Sequence, residues 1–199
     1  MSRYKRSAQD FTRTRVLNFR VIIALLMAKG LRSLQLSLNE FIPKLELEKN
    51  TVSKVAYSRA RRKLKHTAFI ELNQKAVVTT IYEDGDYKTY QGLRILAIDG
   101  SKIQLPTNNE TIEEFGTLSY AVHNNSQQIR PSITGEHSYA LASVLYDVLN
   151  QVALDAKLGP AHSYEVDLAA LHLSHTKDGD LTIYDRGYSS YRMMALASS

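Results

Sequence analysis

The chain has 199 residues, is 44% hydrophobic and 23% charged, and carries a formal charge of +5 with no cysteine. This is enough apolar material for one or two packed domains, and the lack of thiols excludes a disulfide framework and a thiolate metal site. The amino-terminal apolar run at residues 21–28 is too short to span a bilayer and no signal peptide is legible, so the expectation is a cytoplasmic protein with no membrane partner.

The charge is unevenly placed. Residues 1–75 hold 17 Lys/Arg against 5 Asp/Glu, whereas residues 76–199 hold 8 against 15. A basic part joined to an acidic part points to a polyanion-binding module attached to one that handles cations. Residues 1–15, with Arg3, Lys5, Arg6, Arg13 and Arg15, read as a basic arm. The spacing of Leu17, Val21, Leu25 and Ala28 predicts a helix over 16–29 whose stripe is core, with Gly30 as its stop. Leu34, Leu38 and Phe41 predict a second helix over 31–41, closed by Pro43.

A third helix is predicted from residue 50, with Asn50 or Thr51 as its cap. Ser53, Lys54, Tyr57 and Ser58 near its start resemble the recognition helix of a helix-turn-helix unit. Lys54, Arg59, Arg61, Arg62, Lys63 and Lys65 suit contacts to DNA phosphates, which position a protein without reading sequence. The bland alternative is a solvated helix face, and the preceding loop is longer than a tight helix-turn-helix turn. Phe69, Leu72, Ala76, Val77 and Thr80 continue the helical pattern over 67–82, and Glu83-Asp84-Gly85-Asp86 breaks it. The domain boundary is placed there, giving a basic helical region at 1–82 and a second domain at 88–199.

The second domain opens on a short apolar run, residues 93–98, that ends on Asp99-Gly100-Ser101. It reads as a buried strand with an acid at its carboxyl end, where open α/β sheets place their chemistry. Residues 106–135 are polar and read as a long loop. Residues 139–146 and 151–157 form a predicted hairpin, with Asp147 as a turn residue and Gly159-Pro160 as its end. Residues 163–175 have helical spacing (Val166, Ala169, Ala170, Leu173), with Ser163 as cap. Glu165 and Asp167 read as surface groups of that helix, and His172 and His175 as solvated or capping residues. Residues 181–184 form a last strand that ends on Asp185, and residues 189–197 begin another helix. The order strand, strand, strand, helix, strand returns the fourth strand beside the first, so that Asp99 and Asp185 can share a divalent ion. Taken alone, Asp99 reads as a turn residue and Asp185 as a structural partner of Arg186.

Four motifs in this order resemble the DDE transposases of bacterial insertion sequences, in the branch with a helical DNA-binding amino-terminal region. They are Ile98-Asp99-Gly100-Ser101 with Leu105-Pro106, Val144-Leu145-Tyr146-Asp147-Val148-Leu149, Asp155-Ala156-Lys157-Leu158-Gly159-Pro160 and Tyr184-Asp185-Arg186-Gly187-Tyr188. The helix from Asn50 and the segment Gly30-Leu31-Arg32-Ser33-Leu34-Gln35 add to the likeness. The resemblance implies an α+β fold of the α/β kind, a helical DNA-binding region followed by an incomplete ribonuclease-H-like mixed sheet with helices. It implies Asp99 and Asp185 as catalytic and metal-binding acids, Mg²⁺ or Mn²⁺ as cofactor, and Arg186 as a contact to DNA. The implied partner is double-stranded DNA at the inverted-repeat ends of the element, with a homodimer on DNA as an open expectation and the nucleoid as location. The family's third acid is a glutamate in a Tyr-x-x-Arg-x-x-x-Glu-x-x-x-x-x-x-Lys pattern, and no Asp or Glu follows Asp185 here. The expectation is therefore a truncated, catalytically incomplete transposase. The alternative is a non-catalytic DNA-binding fragment that inhibits the full enzyme, and a broad-substrate nuclease of the same fold is a weaker third.

Overall fold

A computed structural model describes residues 2–12, 16–28, 33–45, 51–118, 137–189 and 193–195. The chain forms two compact units, Met1–Leu72 and Asn73–Ser199. The boundary expected at residues 83–86 is displaced, because residues 73–83 pack with the sheet of the second unit. Asn73 and Gln74 donate side-chain hydrogen bonds to the carbonyls of Ala153 (2.9 Å) and Leu154 (2.5 Å), and Val78, Ile81 and Tyr82 pack against the second core.

The first unit is helical. Helix α1 spans Phe19–Met27 and starts where the Asn18 side chain accepts from the Val21 N–H at 3.1 Å. Helix α2 spans Leu34–Phe41 and α3 spans Lys54–Arg61. The cap of α3 is Ser53, whose Oγ accepts from the Ala56 N–H at 3.2 Å, in place of Thr51; Asn50 lies outside the described residues. Gln35 of α2 clamps the start of α3. Its amide donates to the Val52 carbonyl at 2.9 Å and accepts from the Lys54 N–H at 3.0 Å. Val21, Ile22, Leu38, Ile42, Val52, Tyr57, Leu64 and Ala68 make the core. Helix α4, Thr67–Asn73, closes this stretch and is followed by a π-helical segment, Gln74–Val78, and by α5, Thr79–Glu83.

The second unit is built on a mixed sheet of five strands among the described residues, so the fold is α+β. Strand β1 is Arg94–Gln104, β2 Thr117–Leu118, β3 His137–Asp147, β4 Val152–Pro160 and β5 Asp180–Tyr184. Strand β3 pairs antiparallel with β1, β2 and β4, and β5 returns parallel to β1. The stretch 106–118, expected as loop, carries helix α6, Asn109–Phe115, nucleated by a reciprocal cap between Asn108 and Thr111. Residues 119–136 of that expected loop lie outside the described residues. Strand β4 runs on through Gly159 and Pro160 instead of ending before them. The helix expected over 163–175 is the shorter α7, Glu165–Ala170, with Tyr164 in place of Ser163 at its N-cap and a 3₁₀ turn, Leu173–His175, after it. Leu96, Ile98, Leu145, Leu154 and Ala169 are the centre of this core, with Tyr188 and Met193 beside them. No helix among the described residues is long and apolar enough to cross a membrane.

Candidate functional site

Strand β1 does not stop at Asp99. It runs five residues further, to Gln104, and Asp99 is exposed at its middle. What stops there is the parallel pairing with β5. The last partners are Ile98 and Tyr184, so Asp99 and Asp185 are the next residues on the two neighbouring strands. Each carboxylate accepts a hydrogen bond from the N–H of the following residue, Gly100 at 2.9 Å and Arg186 at 2.5 Å. Asp185 thereby caps a 3₁₀ turn, Arg186–Tyr188. Arg186 itself is exposed.

Gly100, the residue after Asp99, is a point of close approach between elements. A Cβ at this position would lie 3.0 Å from Glu165 Cγ and 3.2 Å from the Tyr188 hydroxyl. The glycine thus lets α7 and the turn after β5 approach β1 one residue past Asp99. Tyr188 is 3% exposed. The Glu165 carboxylate lies beside its hydroxyl. Burial, then the charge of Glu165, and then Asp99 and Asp185, push this hydroxyl up to about 12. Glu165 is exposed, as expected of a surface group. Its place against Gly100 is not legible in the sequence, because it lies 65 positions from Gly100. The signal that points to it is the glycine after Asp99, which marks a close approach of backbone to another element.

These donors are all oxygen, which suits Mg²⁺ or Mn²⁺ rather than a softer metal. Among the described residues, no three His, Cys, Asp or Glu side chains are grouped closely enough to cage a metal.

His172 stands differently from its expected solvated role. It is completely buried, with Nδ1 2.8 Å from Asp155 Oδ2 and Nε2 3.1 Å from Ser143 Oγ. Lys157 Nζ lies 3.0 Å from the same carboxylate, and His175 Nε2 3.6 Å. Burial lowers the affinity of His172 for a proton and outweighs the opposing pull of Asp155. Burial would raise Asp155, but its hydrogen bonds to Lys157 and His172 and the charges of His175 and Lys157 leave it below the usual carboxylate range. The order serine, histidine, aspartate is that of a hydrolytic relay. Ser143 is fully buried on β3, however, so no substrate reaches it, and the network is structural.

In the first unit, Lys54, Arg59, Arg61, Arg62, Lys63 and Lys65 are all exposed. Lys63 pairs with Asp10 at 3.3 Å. Tyr57, expected among the outward residues, is instead a core residue at 4% exposure, and Ser53 is occupied as the cap. The outward face of α3 is therefore cationic at its end and contains Lys54 and Val55 at its start. Comparison with protein-family models, with curated proteins and with solved structures finds no match to this chain.

Proposed function

We propose that the chain is a DNA-binding phosphoryl-transfer protein of the DDE transposase type, with a ribonuclease-H-like second unit. The observation that carries this reading is the level placement of Asp99 and Asp185, next after the last paired residues of two parallel neighbouring strands. The antiparallel run β1, β3, β4 and the return of β5 beside β1 support the ribonuclease-H-like assignment. The exposed cations of α3 are suited to the phosphates of double-stranded DNA at an element's ends, within the nucleoid. A divalent ion, when bound, would stabilise charge on the attacking and leaving oxygens of a displacement at phosphorus. Asp99 and Asp185 would hold it, and Arg186 would orient the DNA backbone.

The test is binding of a fluorescent duplex, together with nicking of supercoiled DNA, with Mg²⁺, Mn²⁺ or a chelator present. Metal-dependent nicking that disappears in Asp99→Asn and Asp185→Asn supports the reading. A second reading is a DNA-binding protein without catalysis. It is favoured by the way both carboxylates are engaged by their own following N–H, as turn residues are. Duplex binding with no nicking under any metal condition would select it.

A further inference from the structure

We propose that the outer edge of β5 is a self-complementary docking surface, on which a second copy of this chain adds its own β5 antiparallel, across a two-fold axis at Thr182. The pairing needs neither metal nor DNA, and so stands apart from the reading of the two aspartates. Among the described residues β5 ends the sheet, with β1 as its partner on one side. The Arg94 N–H donates to the Gly179 carbonyl at 3.0 Å, and backbone polar groups alternate sides along a pleated strand. Gly179, Leu181 and Ile183 therefore address β1, whereas Asp180, Thr182 and Tyr184 present their backbone groups at the outer edge. The Asp180 N–H is already taken by the Lys177 carbonyl at 3.1 Å. An open row of this kind is a template for another strand, and proteins commonly blunt it with lysine, proline or a bulge. Asp180-Leu181-Thr182-Ile183-Tyr184 contains neither lysine nor proline, and its pairing with β1 runs without a register shift. Its one charged side chain, Asp180, is spent on Arg94.

The pattern of this edge fits a second copy rather than an unlike strand. With Thr182 opposite its own counterpart, the two exchange N–H and carbonyl as a hydrogen-bonded pair. The Tyr184 N–H then meets the Asp180 carbonyl of the second copy, so the Asp180 N–H used in the turn is not needed for that bond. In the same register Leu181 stands opposite Ile183 of the second copy. These two apolar side chains are 46% and 51% exposed, and each would cover the other. Charge agrees with the register. Beyond the strand, exposed Asp178 at one end comes to exposed Arg186 at the other end of the copy. Lys177 and Asp185 beside them carry the opposite signs, so no block of like charge meets its copy. A guanidinium has several donors, so an ion pair with Asp178 leaves others for a phosphate. The two-fold axis repeats every one of these contacts.

The experiment is sedimentation velocity of the full chain over a series of concentrations, without DNA. The expected result is a reversible equilibrium between monomer and dimer. Thr182→Pro removes an N–H that β1 does not use, and Ile183→Lys sets a charge opposite Leu181, so each should shift the chain to monomer. Asp178→Arg and Arg186→Asp should each weaken the dimer about tenfold, and both together in one chain should restore it. The chain has no cysteine, which gives a second readout. Residues opposed in a hydrogen-bonded antiparallel pair lie about 5.5 Å apart between Cα atoms, within disulfide reach. Mild oxidation should therefore link two copies of the Thr182→Cys variant, and should leave Glu113→Cys on α6 unlinked. A chain that stays monomeric at every concentration overturns the proposal. A dimer that survives both Thr182→Pro and Ile183→Lys, or that forms no link through Thr182→Cys, overturns it as well. Failure of the double charge exchange to restore the dimer overturns the register. Far-ultraviolet circular dichroism checks each variant, and the Thr182→Cys link keeps the proposal testable if Thr182→Pro fails to fold.

Discussion

His172, just after α7, and Asp155 of β4 are joined by a 2.8 Å contact between Nδ1 and Oδ2, with the imidazole completely shut off from water. Asp155 is held ionised and can only accept, so Nδ1 carries the proton. A neutral ring then leaves Nε2 to accept from the Ser143 hydroxyl. Removing the ring strands Asp155 beside Lys157 and leaves Ser143 unsatisfied. His172→Ala should therefore lower unfolding free energy by about 2–3 kcal/mol, measured by urea titration. A midpoint equal to that of the unaltered chain would contradict this.

The same network sets a pH dependence. His172 binds a proton less readily when folded than its ordinary value of 6.5, so the unfolded chain takes up more protons and acid favours unfolding. Stability should be full above about 6.5 and decline as pH falls below it. Asp155 adds a further loss below its ordinary 3.8, since its folded value is depressed. Thermal midpoints followed from pH 8 to 5 should fall, and His172→Phe should flatten the upper part of that decline.

Arg94 and Asp180 form a bidentate pair, at 2.7 and 2.6 Å, at the opposite end of the β1 and β5 ladder from the acids. Their side chains are 7% and 2% exposed, and the guanidinium lies 4.9 Å from the Tyr82 ring centroid. Asp180→Ala leaves that cation buried without its partner, and should cost about 3–5 kcal/mol. The double variant Arg94→Met with Asp180→Leu should recover much of the loss. Guanidinium unfolding of the two proteins gives the comparison directly.

The exposed cations of α3 predict a salt-dependent affinity for duplex DNA. Replacing Arg59, Arg61 and Arg62 by Gln should lower the slope of log affinity against log salt by about 0.9 for each phosphate no longer neutralised. The effect should be alike for unrelated DNA sequences, because phosphate contacts carry no base information. An unchanged slope in the triple variant would remove α3 from the DNA interface.

Much of the second unit is legible in the sequence because its signals are local. The apolar run before Asp99, the hairpin around Asp147 and the strand before Asp185 each mark themselves by composition and turn residues, and the β5 return follows from their order. Asp147 closes the turn after β3, accepting from the Asn150 N–H at 2.9 Å and from the Tyr82 hydroxyl. The hidden features depend on distant partners. Periodicity shows that Val78 and Ile81 belong to an apolar face but not which core receives them, so the boundary falls at the helix break of residues 83–86. His172 looks like any polar residue after a helix until Asp155 and Ser143 arrive from β4 and β3. Asn108 and Thr111 sit in a polar stretch whose helix is announced only by their mutual capping.

The π-helical segment Gln74–Val78, closed by the Thr79 N–H on the Gln74 carbonyl, acts as a phase adjuster. An α-helix turns about 100° per residue, so one additional residue in a turn rotates everything after it by that amount. Here the adjustment lets Asn73 and Gln74 reach the β4 carbonyls while Val78, Ile81 and Tyr82 still face the core. Deleting exposed Ala76 would restore regular winding and swing those two sets out of step. The chain thus tolerates substitution along this segment far better than it tolerates a change of length by a single residue.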